Sequence, residues 1–364
     1  MSAPVTPLTR AQDAALRALR ATALAGREDA LARLARCGVD EDAAEGLIAL
    51  VRRHARVTLN FHPDRLLADG RTTVAAGLAA DGRYRGQYET GLSNGSRTAH
   101  PGGLRDDWEH ALFGGAYAGA TAAERPKYGA LNVMRHPDGA APRFGSCHVR
   151  LRPEATERAT FCFGDSHVGP ADMGTADALH SVLAALLTDA VESGQSLGLA
   201  GADPAAEIRA LGTPAAPRGP GRSLDFYVEA QVHGDVDLRT DAEALVLDPS
   251  FRGTETGELL AGLGLPVEWH GGFVLGPEVP DEEIAAFRGP GVVPVVGRVR
   301  AEFSDGGRID AACVGRAAAS AAREPEGWSA YGAPDEVLQY VKQLWHCLVR
   351  FGRSGTGGVP AARS

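Results

Sequence analysis

The chain has 364 residues, enough for about two folding units or one large unit with insertions, so a single small module is excluded. Hydrophobic residues at 44% and charged residues at 23% allow a sizeable core, while 46 glycines and 22 prolines call for many turns rather than long helical repeats. Lys and Arg number 37 against 46 Asp and Glu, and the net charge of −9 has the wrong sign for broad phosphate neutralisation, so nucleic acid is not an expected partner.

Residues 9–56 carry Leu16, Leu19, Leu24, Leu31, Leu34, Leu47, Leu50 and Val51 at three and four spacing, which predicts two or three helices, one ended by Gly38 and the next capped by Asp40. The period then changes to two at Val57–Phe61, a half-buried strand stopped by His62 and Pro63, and residue 57 is the first boundary. Residues 82–103 form a loop with six glycines and an unusual density of hydrogen-bonding groups. Short strands are expected around 128–133, 144–151 and 160–163, a helix over 175–193, a surface connection over 198–222 and a strand over 224–232. Beyond these, 241–246, 257–263 and 281–287 read as short helices, 292–303 as one or two strands, and 335–351 as a helix. The expected organisation is a helical segment (1–56), a core with a helical insertion (57–250), an α/β extension packing on it (251–352) and a disordered tail (353–364).

Cys37, Cys147, Cys162, Cys313 and Cys347 are odd in number, scattered and without a C-x-x-C, so neither a disulfide scaffold nor a thiolate zinc site is signalled, and a reducing compartment fits. No export signal and no run of 18 apolar residues is present, so a membrane is not an expected partner. His62, His100, His136, His148, His167 and His233 invite a metal reading but show neither HxxxH nor HExxH, and no GxSxG, Rossmann or P-loop pattern occurs.

Period-two geometry sorts residues 225–234: Tyr227, Glu229, Gln231 and His233 share one strand face, either a face open to water or the floor of a cleft. A carboxylate and a carboxamide two residues apart suit fixing a sugar hydroxyl beside a developing positive charge. At the end of the first strand, Arg65 has the shape to hold a diphosphate, with a surface ion pair to Asp64 as the plainer alternative and a capping role as that of His62.

The segments VTLNFHPDR, YRGQYETGLSNGS, TAHPGG, ERPKYGALNVMRHPDGAAPRFGSCHVRL, TFCFGDSH, YVEAQVHGDVDL and LVLDPSFRGT resemble a bacterial domain-of-unknown-function family that includes effectors of the CteC type, which ADP-ribosylate a threonine of ubiquitin. The resemblance implies an α+β, ADP-ribosyltransferase-like fold, a split pair of small β-sheets holding NAD between them, with flanking helices. It implies that Glu229 orients the ribose with Gln231 beside it, although Glu-x-Gln departs from the Glu-x-Glu and Gln-x-Glu of the wider fold. His62 or Arg65 takes the first-strand role. The middle-strand residue is left open between Thr90 or Ser93 and Ser146. The glycine-rich loop, through Gln87, Glu89, Thr90, Gly91, Ser93 and Asn94, is expected to line the NAD pocket. The expected activity is mono-ADP-ribosyl transfer from NAD to a hydroxyl of an acceptor protein, with ubiquitin or a ubiquitin-like fold as the implied partner. The alternatives are an NAD glycohydrolase, a metal-dependent hydrolase and a non-catalytic binding module. The flanking helices and the helix over 175–193 are expected beside the cleft, binding the acceptor. The chain is expected in the producer's cytoplasm, with delivery to a host cell, if any, needing no cleavable peptide.

Overall fold

The computed structural model describes residues 7–91, 99–214 and 221–354. Three helices open it, Arg10–Ala25, Arg27–Arg36 and Glu41–His54. Thr9 and Gln12 form a reciprocal capping box on the first, and Asp40 accepts from the Ala43 N–H at 2.8 Å on the third. Gly38, at φ 77°, makes the turn between the second and the third. Ala30, Leu34, Leu47, Ile48 and Val51 enter the same continuous core as the strands that follow, whereas Ala15 and Leu19 close on Phe113 and Tyr117 in a smaller cluster.

Twelve strands occur among the described residues: β1 (Val57–Phe61), β2 (Arg83–Tyr84), β3 (Lys127–Leu131), β4 (Cys147–Leu151), β5 (Ala159–Phe163), β6 (Met173–Thr175), β7 (Gln195–Ser196), β8 (Leu199–Ala200), β9 (Val228–Val232), β10 (Val236–Asp237), β11 (Ala242–Leu247) and β12 (Val267–Trp269). Eight of them form one mixed sheet in the order β12-β11-β4-β1-β3-β9-β5-β6, parallel only between β11 and β12, and β2 pairs with β10 and β7 with β8. The chain is therefore α+β, as expected. The ladders do not divide into two small sheets, because β1 pairs with both β3 and β4 and carries the hydrogen bonding across the middle. Twist of about 20–25° per strand, accumulated over eight strands, still lets one such sheet present a concave face.

Register decides which side chains meet. Thr58, Ala130, Glu229 and Cys162 lie opposite one another across β1, β3, β9 and β5, and Tyr128, Gln231 and Thr160 form the next row. Cross-strand partners share a face, so these two rows are the polar side of β9 and its neighbours.

Two elements are of the opposite type to that expected, and the expected loop over 82–103 contains β2 and the short helix Gln87–Thr90. Residues 241–246, read as a helix, form β11 after a single helical turn, Leu238–Asp241; Ala244, Leu245 and Leu247 are fully buried between β4 and β12, where pairing on both edges outweighs propensity. Residues 292–303, read as strand, form the helix Val292–Glu302. Its valines 292, 295, 296 and 299 are buried at helical spacing, and it packs against the long C-terminal helix Pro334–Phe351. The helix expected from residue 175 starts at His180, after β6, and the connection over 198–222 contains the β7–β8 hairpin and the helix Pro204–Arg209, whose Ile208 is buried. Arg353 bridges to Val274, and the rest of the tail, from 355, lies outside the described residues. No helix of the described residues is long and apolar enough to cross a membrane.

Candidate active site

A cavity of about 450 Å³ opens over the polar side of β9, bounded by the end of β1, the segment 65–90 and the helix Leu104–Leu112. That volume is in the range of small-molecule sites. Five arginines line it, Arg65, Arg83, Arg85, Arg105 and Arg143, against three carboxylates, Asp81, Asp165 and Glu229. Its aromatic walls are Phe61, Tyr84, Trp108, Tyr128 and Phe144.

Glu229 sits at the bottom, only 5% exposed. Its Oε1 accepts from Gln231 Nε2 at 2.7 Å, and its Oε2 accepts from the Ser166 N–H at 3.4 Å. Burial, and then the charge of Asp165, push this carboxyl up to about 7, against the pull of those two hydrogen bonds. Asp165 is different. Burial works against its charge too, but hydrogen bonds from His167 and Tyr227 outweigh it and hold its pKa below the ordinary value. The Tyr227 hydroxyl donates to its Oδ2 at 2.8 Å, and His167 Nδ1 lies 2.7 Å from Oδ1. Two neighbouring carboxyls with pKa values driven apart are a feature of reactive sites.

Gln231 lies beneath the cavity rather than in its lining, and is fully buried. Its Oε1 accepts from Thr160 Oγ1 at 2.6 Å and its Nε2 also reaches Cys162 Sγ at 3.7 Å. The chain continues through His233 Nε2, 3.1 Å from Thr160 Oγ1, to Tyr117, whose hydroxyl is 2.5 Å from His233 Nδ1. The polar face of β9 is thus the buried floor of a cleft, not a wet sheet face.

His62 and Arg65 both line the cavity. Burial and the Arg65 charge push the His62 imidazole down to about 3, so it is neutral, and its ring stands edge-on to Trp345 at 5.0 Å. Burial also works against the Arg65 charge. Gln87 and Thr90 line the cavity as expected. Glu89 instead folds back on its own short helix, accepting from the Gly86 N–H at 2.7 Å and from Arg83 at 3.0 Å, while Gly91 closes that helix at φ 64°. Ser93 and Asn94 lie outside the described residues. Ser146 is buried away from the cavity, its Oγ 3.9 Å from Cys147 Sγ and its carbonyl 2.7 Å from His270 Nε2. Among the described residues no group of three or more His, Cys, Asp or Glu is arranged to hold a metal ion.

Sequence reasoning missed one wall. The Arg105 guanidinium lies 4.5 Å from the Trp108 ring centroid and 4.6 Å from that of Tyr128, and Trp108 meets His167 at 6.1 Å. Asp165, Ser166 and His167 do not form a triad, but Asp165 caps a tight turn that brings all three to the cavity lip. Their presence in the motif TFCFGDSH was the available signal. Five buried polar atoms without a hydrogen-bond partner among the described residues, Gln87 Oε1, Arg105 Nε, Trp108 Nε1, Arg143 Nε and Ser166 Oγ, belong to residues lining this cavity. Buried polar groups ordinarily find a partner, so these five atoms are candidate contacts for a polar ligand.

The architecture defines an α+β protein with a polar, arginine-rich cleft over the middle of its sheet. Residues 56–351 match the family model described as a protein of unknown function, DUF3626, and the chain belongs to that family. None of the curated proteins matches it. The matched span starts one residue before β1 and ends with the C-terminal helix, leaving the three opening helices outside it.

Proposed function

We propose that this protein is a mono-ADP-ribosyltransferase that moves ADP-ribose from NAD to a hydroxyl of an acceptor protein, threonine on ubiquitin or a ubiquitin-like surface being the acceptor the motif resemblance suggests. In this reading the sheet is an ADP-ribosyltransferase-like core whose cleft holds the dinucleotide. The observation that carries it is Glu229, a carboxyl on the cavity floor held by Gln231 beneath and by the Ser166 N–H beside it.

Breaking the nicotinamide–ribose bond develops positive charge on the ribose. A carboxylate fixed against a ribose hydroxyl stabilises that charge more in the transition state than in the ground state, which is the condition for catalysis. Arg65 and Arg105 are the natural holders of the diphosphate, Arg105 because its planar fork is already oriented by two ring faces and its Nε has no partner among the described residues. Trp108 and Tyr128 offer faces on which a flat heterocycle can stack. The weak nucleophilicity of a threonine hydroxyl fits a dissociative transition state, in which little deprotonation precedes attack.

The test is incubation of the protein with NAD labelled in the adenylate and an acceptor panel that includes ubiquitin. Label on an acceptor with the parent and none with Glu229→Gln supports transfer. Nicotinamide release without labelled protein would make the chain a glycohydrolase, and equal signals from parent and variant would remove Glu229 from the account.

A further inference from the structure

The hydrogen bonds beneath Glu229 form a single file with a direction. Gln231 turns its amide N–H to Glu229 and Cys162, so its carbonyl must accept, and it does so from Thr160. The Thr160 proton is then committed, so its oxygen accepts from His233 Nε2, which must carry the ring proton. His233 Nδ1 is left as an acceptor and takes the Tyr117 hydroxyl proton. Tyr117 has no other hydrogen-bond partner among the described residues, and its ring is held between Phe113, at 5.5 Å edge-on, and the His233 ring, stacked at 6.0 Å.

We propose that Tyr117 and His233, which do not line the cavity, are positioning residues for Glu229: the phenol fixes the His233 tautomer, and through Thr160 the tautomer fixes Gln231 with its N–H toward the carboxylate. The proposal rests on the reading of Glu229 as the working acid. The opposite direction leaves one proton of the file without an acceptor among the described residues. In it Gln231 presents its carbonyl to Glu229, which must then be protonated to donate; Thr160 donates to His233 Nε2, the ring proton moves to Nδ1, and the Tyr117 hydroxyl proton has no acceptor. One remote hydroxyl therefore selects the file that matches an ionised Glu229.

The other groups that bear on these residues are fixed. Glu229 is faced by Asp165 from the tight turn, Tyr128 from β3, Cys162 from β5 and Tyr227 just before β9. His233 feels Arg158 and Lys127, both of which oppose an imidazolium, and Tyr117 feels Glu109, Glu124 and Arg125. None of these is changed by removing a single phenol oxygen.

The experiment is a titration of Glu229 by carbon-13 NMR in protein labelled at the glutamate carboxyl, the Glu229 signal being the one lost in Glu229→Gln. Tyr117→Phe is expected to raise its midpoint by roughly half to one unit, the equivalent of one net hydrogen bond. His233→Gln, whose amide can donate to Thr160 while its carbonyl accepts from Tyr117, is expected to keep the parent midpoint. An unmoved midpoint in a Tyr117→Phe variant that keeps the parent's circular dichroism overturns the proposal. Should that variant not fold, Thr160→Val breaks the same file with an isosteric side chain, and an unmoved midpoint there has the same meaning. Nicotinamide release by the parent is followed in parallel. Its absence contradicts the transferase reading, whereas the titration decides the hydrogen-bond file by itself.

Discussion

Glu229 is a buried acid with its pKa raised by burial, and this has a cost in stability whose sign can be worked out. The folded state holds the proton more tightly than the unfolded chain, so stability is greatest below the unfolded carboxylate pKa of about 4.3 and falls as pH rises toward about 7. Asp64, pushed to about 7 chiefly by burial, adds to the same trend. Glu229→Gln is therefore expected to melt higher than the parent at pH 8, by an increment on the order of 1–3 kcal/mol, and to match it near pH 4.5. Melting temperatures of both proteins across that range check this. Arg105→Lys keeps the charge but loses the planar fork, and is expected to weaken NAD binding about tenfold with little change in melting temperature; calorimetry with NAD reads the first and thermal denaturation the second. The alternation of Tyr227, Glu229, Gln231 and His233 was legible in the sequence, because a strand's period is two. Whether that face met water was not, since the answer depends on Tyr128 and Thr160, which lie about 70 to 100 residues earlier and reach it only through the pairing of β3 and β5 with β9. Arg105 and Trp108 carry no local pattern, His167 is marked only by its place in the motif TFCFGDSH, and the three become a wall only when the helix Leu104–Leu112 and the turn Ser166–Val168 meet.

At the scale of elements, local signals decided most of the outcome. The caps at Thr9 and Asp40, the end of β1 at Phe61 and the helical stripe over 335–351 all follow from sequence neighbours. Residues 241–246 and 292–303 did not, because Val-rich and Ala/Leu-rich apolar runs of that length satisfy either period and are arbitrated by what packs on them. The opening helices illustrate the same dependence. Leu34, Leu47, Ile48 and Val51 are buried in the main core and helix Arg27–Arg36 packs on helix His180–Ser193, so removal of residues 1–50 is expected to abolish the cooperative folding transition and NAD turnover together. Survival of nicotinamide release in that deletion, with acceptor labelling lost, would instead assign these helices to acceptor recognition. Helix His180–Ser193 contributes no residue to the cavity lining, and Trp345 of the C-terminal helix is buried with its Nε1 donating to the Pro142 carbonyl at 2.8 Å. Gly145 is an element-level lock: a Cβ there would lie 2.1–2.3 Å from the backbone of Phe61. Gly145→Ala is expected to cost about 2–3 kcal/mol, read by chemical denaturation, and to disturb the adjoining His62.

Over the whole molecule, a chain of net charge −9 keeps five arginines and three carboxylates around one cavity. Arg83, Arg85 and Arg143 are paired with carboxylates, whereas Arg105 is held by aromatic rings, so an anionic ligand is expected on the Arg105 side of the cleft if the proposed function holds. The α+β class and the strand that carries Glu229 were readable from period and motif, but the continuity of an eight-stranded sheet was not, because it rests on β1 serving two partners far apart in the chain. The central question is whether Glu229 acts on NAD. The most direct measurement is nicotinamide release from NAD at pH 8 by parent and Glu229→Gln, each verified as folded. The expected result is release by the parent, reduced at least about a hundredfold in the variant, in line with loss of a group that stabilises developing charge. Release at the same rate by both proteins, or by neither with any acceptor supplied, would contradict it.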